Sequence, residues 1–249
     1  MTTHLLRFDP DAARAALWFE AERLAPRSGE DDGYAWHALL TAAFGKALAP
    51  KPFRVLARRG RPPQLLAYSA AAADELKAAA AEFADPKVIA ALALDGLASK
   101  AMPTFAAGRR LGVSVRLRPV VRTDRDGDRN KTRELDAFVA ACAAAPDAPP
   151  ERSQVYLDWA RARLIDAGAK VELLRLDGFE GCAVLRRSGP SGQGGQGARP
   201  LLAIPGHAVT IVGTICIVDA ERFAAAIARG LGRHRAFGYG MMLLSPPEG

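Results

Sequence analysis

The sequence predicts an α+β protein built from two tandem domains with antiparallel sheets. Two observations predict this class. The first half reads as strand, helices, two strands, helix and strand, and the part beyond residue 150 reads as helix, strands and helix. The chain of 249 residues is long enough to bury a core in each domain. We expect an N-terminal domain over 1–123, a linker region over 124–150 and a C-terminal domain over 151–249.

The elements of the first half follow from the spacing of its apolar residues. Helices are indicated by apolar residues near helical spacing, and strands by alternation between turn residues. The predicted elements are a strand over 4–8, helices over 12–24 and 34–48, strands over 53–57 and 64–68, a helix over 70–83 and a strand over 111–121. This βαββαβ order with an added N-terminal helix is the ferredoxin-like plan.

The second half repeats a similar pattern after a linker. Charged residues over 124–131 and prolines over 146–150 are typical of linker sequence. The predicted elements are a short helix over 135–144, a helix over 155–167, strands over 170–176, 181–187, 200–204 and 209–218, and a helix over 220–229 capped by Asp219. Residues 188–197 form a low-complexity glycine-rich loop between two of these strands. We expect a second ferredoxin-like, RRM-like domain.

A basic glycine-rich loop over 230–240 separates the last helix from the apolar run 241–244. Glycine lets the backbone approach a ligand closely, and Arg233 and Arg235 add positive charge, so this loop is suited to phosphate. Its glycines follow a helix and lead into a strand, which is not the strand–loop–helix order of a P-loop or a dinucleotide fingerprint. Binding of a nucleotide cofactor is therefore disfavoured, and we expect no cofactor.

The composition favours a polyanionic partner without deciding for one. The formal net charge is +7 and the pI is about 9.7, which suits a partner rich in phosphate. The arginine excess is equally explained by a genome of high GC content. Cys142, Cys182 and Cys216 are too few and too far apart for a zinc site or a disulfide framework, so no metal is expected. The N-terminus does not resemble a signal peptide and no apolar run is long enough to span a membrane, which predicts a cytoplasmic protein without membrane contact.

The segments Tyr34-Ala35-Trp36-His37 and Lys51-Pro52-Phe53-Arg54, together with the C-terminal glycine loop, resemble the CasE family of CRISPR RNA-processing endoribonucleases. Members of that family open with a short strand, carry Tyr-x-x-His on the first core helix, have an Arg-Leu-Arg strand before a basic turn, and end in a glycine-rich loop. All four features occur here. The resemblance implies metal-independent cleavage of repeat stem-loops in a precursor CRISPR RNA, and retention of the mature guide RNA with other subunits of a Cascade-type complex.

His37 is the predicted catalytic residue, since an imidazole can give or take a proton near neutral pH. RNA supplies its own nucleophile, because the 2′-hydroxyl can attack the adjacent phosphate and leave a 2′,3′-cyclic phosphate and a 5′-hydroxyl. Tyr34 lies three residues earlier on the same helix face and is predicted to orient the reacting group. From the residues alone, a structural histidine and a packing tyrosine are the alternatives, and the acid or base role of His37 is open.

The sequence assigns no cation to stabilise the negative charge that develops on the phosphate during cleavage. Some relatives carry a lysine one turn further along the same helix, but the corresponding place here is near Ala42. Lys46 lies on roughly the opposite face of the helix, whereas an arginine of the C-terminal loop can reach the phosphate.

Further RNA contacts are predicted for basic and glycine residues outside the catalytic helix. Arg116, Arg118 and Arg122 are expected to line a groove between the domains, with a solvated sheet face or surface ion pairs as the alternative. Arg186 and Arg187, with Arg199, mark the base of a hairpin that the resemblance places against an RNA stem. The loop contributes Gly232, Arg233, His234, Arg235, Gly238 and Gly240. His4 and His207 are assigned structural roles.

The predicted function is cleavage of CRISPR repeat stem-loops. One alternative is a catalytically silent RNA-binding cap subunit of the same fold. Another is a small-molecule enzyme that uses the glycine loop for a nucleotide.

Overall fold

The computed structural model describes residues 2–123, 133–187 and 201–247. The chain divides into two compact units. Unit 1 comprises Met1–Met102, Gly181–Gly206 and Ala236–Gly238, and unit 2 comprises Pro103–Glu180, His207–Arg235 and Tyr239–Gly249. Each unit is therefore built from three separate segments of the chain, whereas the expected domains were contiguous ranges.

Unit 1 has an antiparallel sheet covered by helices on one face. Its described helices and strands are, in chain order, β1 (His4–Phe8), α1 (Ala12–Ala21), β2 (Glu30–Asp31), α2 (Gly33–Leu48), β3 (Phe53–Arg58), β4 (Arg61–Ser69), α3 (Ala73–Phe83), α4 (Pro86–Leu92) and β5 (Ala98–Ala101). The sheet has the order β3-β4-β1-β5. Central β1 and β4 alternate buried and less buried residues, and the buried Leu6, Phe8 and Leu65 pack on the helices.

The helix that carries the predicted catalytic pair is fixed by this core. Trp36, Leu40 and Phe44 of α2 are at most 3% exposed, as their helical spacing predicted. The Trp36 indole lies edge-on against Phe19 with ring centroids 5.1 Å apart. One face of α2 is thereby held in the core, and the residues of its other face are available for function.

Unit 2 has the same plan with a two-stranded insertion. Its described elements are β6 (Arg110–Leu117), β7 (Val120–Thr123), β8 (Arg133–Asp136), α5 (Ala137–Ala144), α6 (Arg152–Asp166), β9 (Ala169–Arg187), β10 (Leu201–Ile217), α7 (Ala220–Arg229) and β11 (Met242–Ser245). Within unit 2 the sheet runs β11-β6-β10-β9, and β7 and β8 form a separate antiparallel pair. The outer parts of β9 and β10 belong to unit 1, where β9 pairs in parallel with β2 at Ala183 and Val184. The predicted α+β class with two ferredoxin-like sheets is confirmed.

One strand lies in a different sheet from the predicted one. The alternating segment 111–121 was expected to complete the N-terminal sheet, but β6 pairs with β10 and β11 in the second sheet. The N-terminal sheet is completed by β5, whose sequence Ala-Ser-Lys-Ala is exposed and has no β-branched residue. Alternation identifies a strand but not its partners, and β5 carries no alternation to detect.

The predicted strand 111–121 is divided at Pro119 into β6 and β7, because Pro119 has no amide hydrogen to donate.

The segment predicted as linker contains regular structure. Residues 133–136 then pair with β7 as β8, so the predicted helix over 135–144 begins only at Ala137, with the Asp136 side chain as its cap. Strands β9 and β10 are continuous across the positions where two strands each were expected.

Three predicted features lie outside the described residues: the charged stretch 124–131, the glycine-rich loop 188–197 and Arg199. The Arg187 side chain is also outside them. Among the described helices, none combines the length and apolar character needed to cross a membrane.

Candidate active site and basic groove

Residues 236–238 of the C-terminal glycine loop pack on the first turn of α2, the helix that carries Tyr34 and His37. Asp31 is 7% exposed and accepts a hydrogen bond from the Gly33 amide at 2.8 Å. A Cβ on Gly33 would lie 2.1 Å from the carbonyl oxygen of Phe237 and 2.6 Å from the Asp31 carboxylate. Only glycine allows this approach, so the helix start and the loop residues 236–238 form one packed unit.

Three aromatic rings meet at this place. The Tyr34 and His37 rings are 6.4 Å apart, as their spacing on one helix face predicted. Phe237 contacts both, with ring centroids 5.7 Å from Tyr34 and 5.4 Å from His37. The edge-to-face arrangement of Phe237 and His37, at 77°, fixes the plane of the imidazole. The structure therefore brings the predicted catalytic pair together and adds a phenylalanine that was not predicted.

The environment of His37 favours its neutral form. Burial lowers the pKa of the imidazole below its ordinary value of 6.5, and the positive charge of Lys51 lowers it further. Lys51 is exposed, whereas Pro52 and Phe53 after it are buried. Phe53 lies against Gly238, at the end of the same loop segment that holds Phe237. The buried residues that follow Lys51 thus anchor its backbone near His37.

The C-terminal loop runs from α7 to β11, as predicted, and its backbone repeatedly adopts positive φ. Gly230, Gly232, His234, Gly238 and Gly240 have φ between 58° and 85°. A Cβ on Gly240 would lie 2.2 Å from the Leu231 carbonyl, so this glycine allows the loop to close on itself. The Gly240 amide donates to the carbonyl of Arg116 at 2.8 Å. That amide is consequently not available to a phosphate.

Glu134 holds the middle of the loop. Its carboxylate accepts hydrogen bonds from His234 Nε2, at 2.8 Å, and from Arg233 Nε. These contacts, the His234 hydrogen bond first, lower the pKa of Glu134 to about 2. The His234 side chain is 5% exposed, so this histidine belongs to the loop's own packing and does not point into solvent. Glu134 was not predicted because its segment had been assigned to the linker.

A basic groove in unit 2 adjoins this loop. It has a volume of about 530 Å³, and Asp166 is the acidic residue in its lining. The Asp166 carboxylate forms an ion pair with Arg163 at 3.7 Å. The pKa of Arg235 is lowered by partial burial and by the nearby positive charges of Arg229 and Arg233. The arginines that line the groove are Arg122, Arg163, Arg229, Arg233 and Arg235.

The remaining predicted RNA contacts occupy different environments. Arg116 forms an ion pair with Glu180 and lies over the Tyr239 ring at 4.7 Å. Arg118 is 3% exposed. Arg186 is exposed near the end of β9. The structure thus groups Arg122 with the two loop arginines but does not group Arg116 and Arg118 with them.

Metal ligands are not assembled in the described part of the chain. Within 2–123, 133–187 and 201–247, no three His, Cys, Asp or Glu side chains are arranged to hold an ion. Cys142, Cys182 and Cys216 are all free.

Comparison with known families decides the relationship of this chain. A family model described as CRISPR associated protein matches residues 4–246. The chain belongs to this family. The family membership confirms the resemblance found in the sequence, and it disfavours the small-molecule enzyme. No curated protein sequence matches this CRISPR-associated protein.

Solved structures share its fold across the whole chain. A CRISPR endoribonuclease Cse3 bound to a 19-nucleotide RNA is 21% identical with a TM-score of 0.64, and covers 99% of this chain and 100% of its own. Thermus thermophilus Cse3, bound to an RNA representing a pre-cleavage complex, is 20% identical with a TM-score of 0.61. The match covers 99% of this chain and 100% of the Cse3 chain. A chain of a CRISPR RNA-guided surveillance complex, pre-nicking, is 16% identical with a TM-score of 0.54. The match covers 98% of this chain and 99% of the other chain.

Proposed function

We propose that this CRISPR-associated protein is a metal-independent endoribonuclease that cleaves the repeat stem-loops of precursor CRISPR RNA. The observation that carries the proposal is the half-buried His37 imidazole, beside Tyr34, on a helix packed against the C-terminal glycine loop. The likeness to Cse3 structures that hold RNA supports the same substrate class here.

His37 acts as the general base in this proposal. Because its pKa is lowered, the imidazole is neutral at pH 7 and can accept the proton of a 2′-hydroxyl. The 2′-oxygen then attacks the adjacent phosphorus and the bond to the 5′-oxygen breaks. The 5′-oxygen takes up a proton from water and the His37 imidazolium returns its proton to the solvent, which leaves a 2′,3′-cyclic phosphate on one product and a 5′-hydroxyl on the other.

Tyr34 and Lys51 complete the site. The Tyr34 hydroxyl orients the reacting phosphodiester by a hydrogen bond, which keeps the nucleophile in line with the leaving group. The Lys51 ammonium stabilises the negative charge that develops on the phosphate oxygens. This assignment replaces the lysine absent near Ala42, and it is supported by the positive charge of Lys51, which lowers the pKa of His37.

The basic groove holds the phosphates of the RNA stem. Arg122, Arg233 and Arg235 are its predicted members, and Arg163 and Arg229 join them. Arg118 and His234 are left out because their side chains are buried, and Gly240 because its amide is already bonded. Arg186 remains a proposed contact at the base of the hairpin. Retention of the product in a Cascade-type complex is supported by the likeness to a surveillance-complex chain.

The activity is proposed for the cytoplasm, where free cysteines remain reduced. The decisive experiment incubates the pure protein with a labelled repeat hairpin in EDTA and identifies the product ends. We expect cleavage with a 2′,3′-cyclic phosphate and a 5′-hydroxyl. Tight binding without cleavage would favour the silent cap subunit, and cleavage that needs a divalent ion would overturn the proposed mechanism.

A further inference from the structure

Unit 2 carries an exposed aromatic cluster that neither the active site nor the basic groove uses. Phe179 of β9 is 47% exposed, although a phenyl ring gains more from burial than most side chains. Its ring is stacked on the His207 imidazole, with centroids 4.9 Å apart and planes 21° apart. It is also nearly parallel to the Tyr156 ring at 6.2 Å. We call Tyr156, Phe179 and His207 the aromatic platform.

The Asp136 carboxylate holds two of the three rings of the platform, those of Tyr156 and His207. Asp136 accepts hydrogen bonds from the Tyr156 hydroxyl, at 2.9 Å, and from His207 Nδ1, at 3.1 Å. It also caps α5 by accepting from the Phe138 amide. Burial and this carboxylate raise the pKa of Tyr156 to about 12, so its hydroxyl stays protonated. The rings that support Phe179 are therefore held in one orientation.

Polar groups border the platform. The Arg152 guanidinium lies 4.0 Å above the Phe138 ring and 5.8 Å from the Phe179 ring. The His207 side chain is 30% exposed. A half-exposed phenyl ring and a cation thus occur together.

This combination matches the chemistry of an unpaired nucleotide. A base stacks on an aromatic ring, and its phosphate pairs with a guanidinium. An apolar protein surface would cover the Arg152 guanidinium without pairing its charge, whereas the phosphate of a nucleotide pairs with it. Base-paired nucleotides have no free face to stack, so the platform fits single-stranded RNA and not the stem.

We propose that the aromatic platform binds an unpaired nucleobase in the single-stranded flank of the RNA substrate. The proposal rests on the proposed RNA-processing function and extends it with a second RNA site in unit 2.

The test compares two labelled RNAs, a repeat hairpin with single-stranded flanks and the same hairpin trimmed to its stem-loop. Stacking on one aromatic ring contributes enough that Phe179→Ala should weaken binding of the flanked RNA about 5- to 100-fold. The trimmed hairpin should bind the variant as it binds the wild type. Phe179→Leu keeps apolar volume without a π-face and should lose the same affinity, whereas Phe179→Trp should retain it. Phe83→Ala is the matched control, because it removes an exposed phenyl ring from the end of α3.

A base analogue identifies the stacked position. With 2-aminopurine placed at successive positions of the flank, wild-type protein should quench one of them, and Phe179→Ala should abolish that quenching. Equal binding of the flanked RNA by wild type and Phe179→Ala would overturn the proposal. So would an equal loss on both RNAs, which would mean a stem contact, or a loss confined to association with another protein. Failure of the wild-type protein to bind either RNA would instead overturn the proposed function.

Discussion

At the residue scale, the site depends on an imidazole that two influences keep neutral. Burial disfavours the charged ring, and Lys51 repels a second positive charge. The same lysine can attract the phosphate of the substrate. In the proposed mechanism, one exposed side chain thus keeps the base neutral and stabilises the negative charge that develops on the phosphate.

Replacing His37 with alanine should slow single-turnover cleavage about 10²- to 10⁴-fold, because proton transfer to a positioned base is lost. Affinity for the hairpin should change little, since one neutral imidazole contributes little to binding a polyanion. Both quantities are measured with the same labelled RNA. Cleavage at the wild-type rate would remove His37 from the mechanism.

Lys51→Ala should shift the pH dependence of cleavage. For a general base, the rate rises with pH as the imidazolium deprotonates and is flat above the pKa of His37, which lies below 6.5. Removing the nearby positive charge raises that pKa, so the rising limb should move to higher pH. The plateau rate should also fall, and Lys51→Arg should restore both. Lys46→Ala removes an exposed lysine from the last turn of α2 and serves as the control. A rate that falls with pH through this range would indicate an acid role for His37.

At the element scale, two parts of the glycine loop make different contacts. Residues 236–238 pack on α2, and Arg233 and Arg235 line the basic groove. Only Ala236 separates Arg235, which lines the groove, from Phe237, which contacts His37.

Changing Arg233 and Arg235 to alanine should weaken RNA binding and flatten its salt dependence. Each lost phosphate contact on a duplex stem should reduce the slope of log affinity against log salt by about 0.9. Arg14→Ala, which removes an exposed arginine paired with Asp11 on α1, should leave the slope unchanged. An unaltered slope for the double variant would show that the loop arginines do not touch RNA.

Gly33→Ala should damage catalysis more than binding. A Cβ 2.1 Å from the Phe237 carbonyl would displace residues 236–238 and with them the ring that orients His37. We expect slower single-turnover cleavage with hairpin affinity nearly retained. Gly96→Ala is the control, because nothing lies within 4 Å of its Cβ position. If Gly33→Ala cleaves normally, the contact between the loop and α2 has no part in catalysis.

The elements and the catalytic pair could be predicted because local sequence determines them. Helix α2 is specified by apolar spacing and by prolines after its end, and the spacing of Tyr34 and His37 then places both on one face. Residues brought in by long-range pairing could not be found this way. Glu134 reaches His234 from a strand 100 positions away, and Phe237 reaches α2 from the end of the chain. Lys51 was part of the quoted family segment, but its effect on His37 depends on folding.

At the scale of the whole molecule, the residues proposed to bind the RNA stem differ from the residues proposed to cleave the RNA. In this proposal the arginines that line the groove contact the stem, which cleavage leaves intact. The protein should therefore remain on its product. This property suits a subunit that stays with its guide RNA.

Cleavage with substrate in excess should show a burst. One enzyme equivalent of product should form quickly and further product slowly, because release of the hairpin limits turnover. The cleaved hairpin and an uncleavable substrate should bind with similar affinity. Rapid multiple turnover with weak product binding would point to a free-standing nuclease.

Because each unit is made of three segments, neither unit can be produced as one contiguous fragment of the chain. The chain passes from one unit to the other at five points, after Met102, Glu180, Gly206, Arg235 and Gly238. A fragment ending at Met102 would contain His37 but would lack both Phe237 and the β9 arm that pairs with β2. Unit 1 therefore cannot be moved into another protein as one contiguous stretch: a gene fusion of residues 1–102 would carry the proposed base, His37, without the loop residue that packs against it.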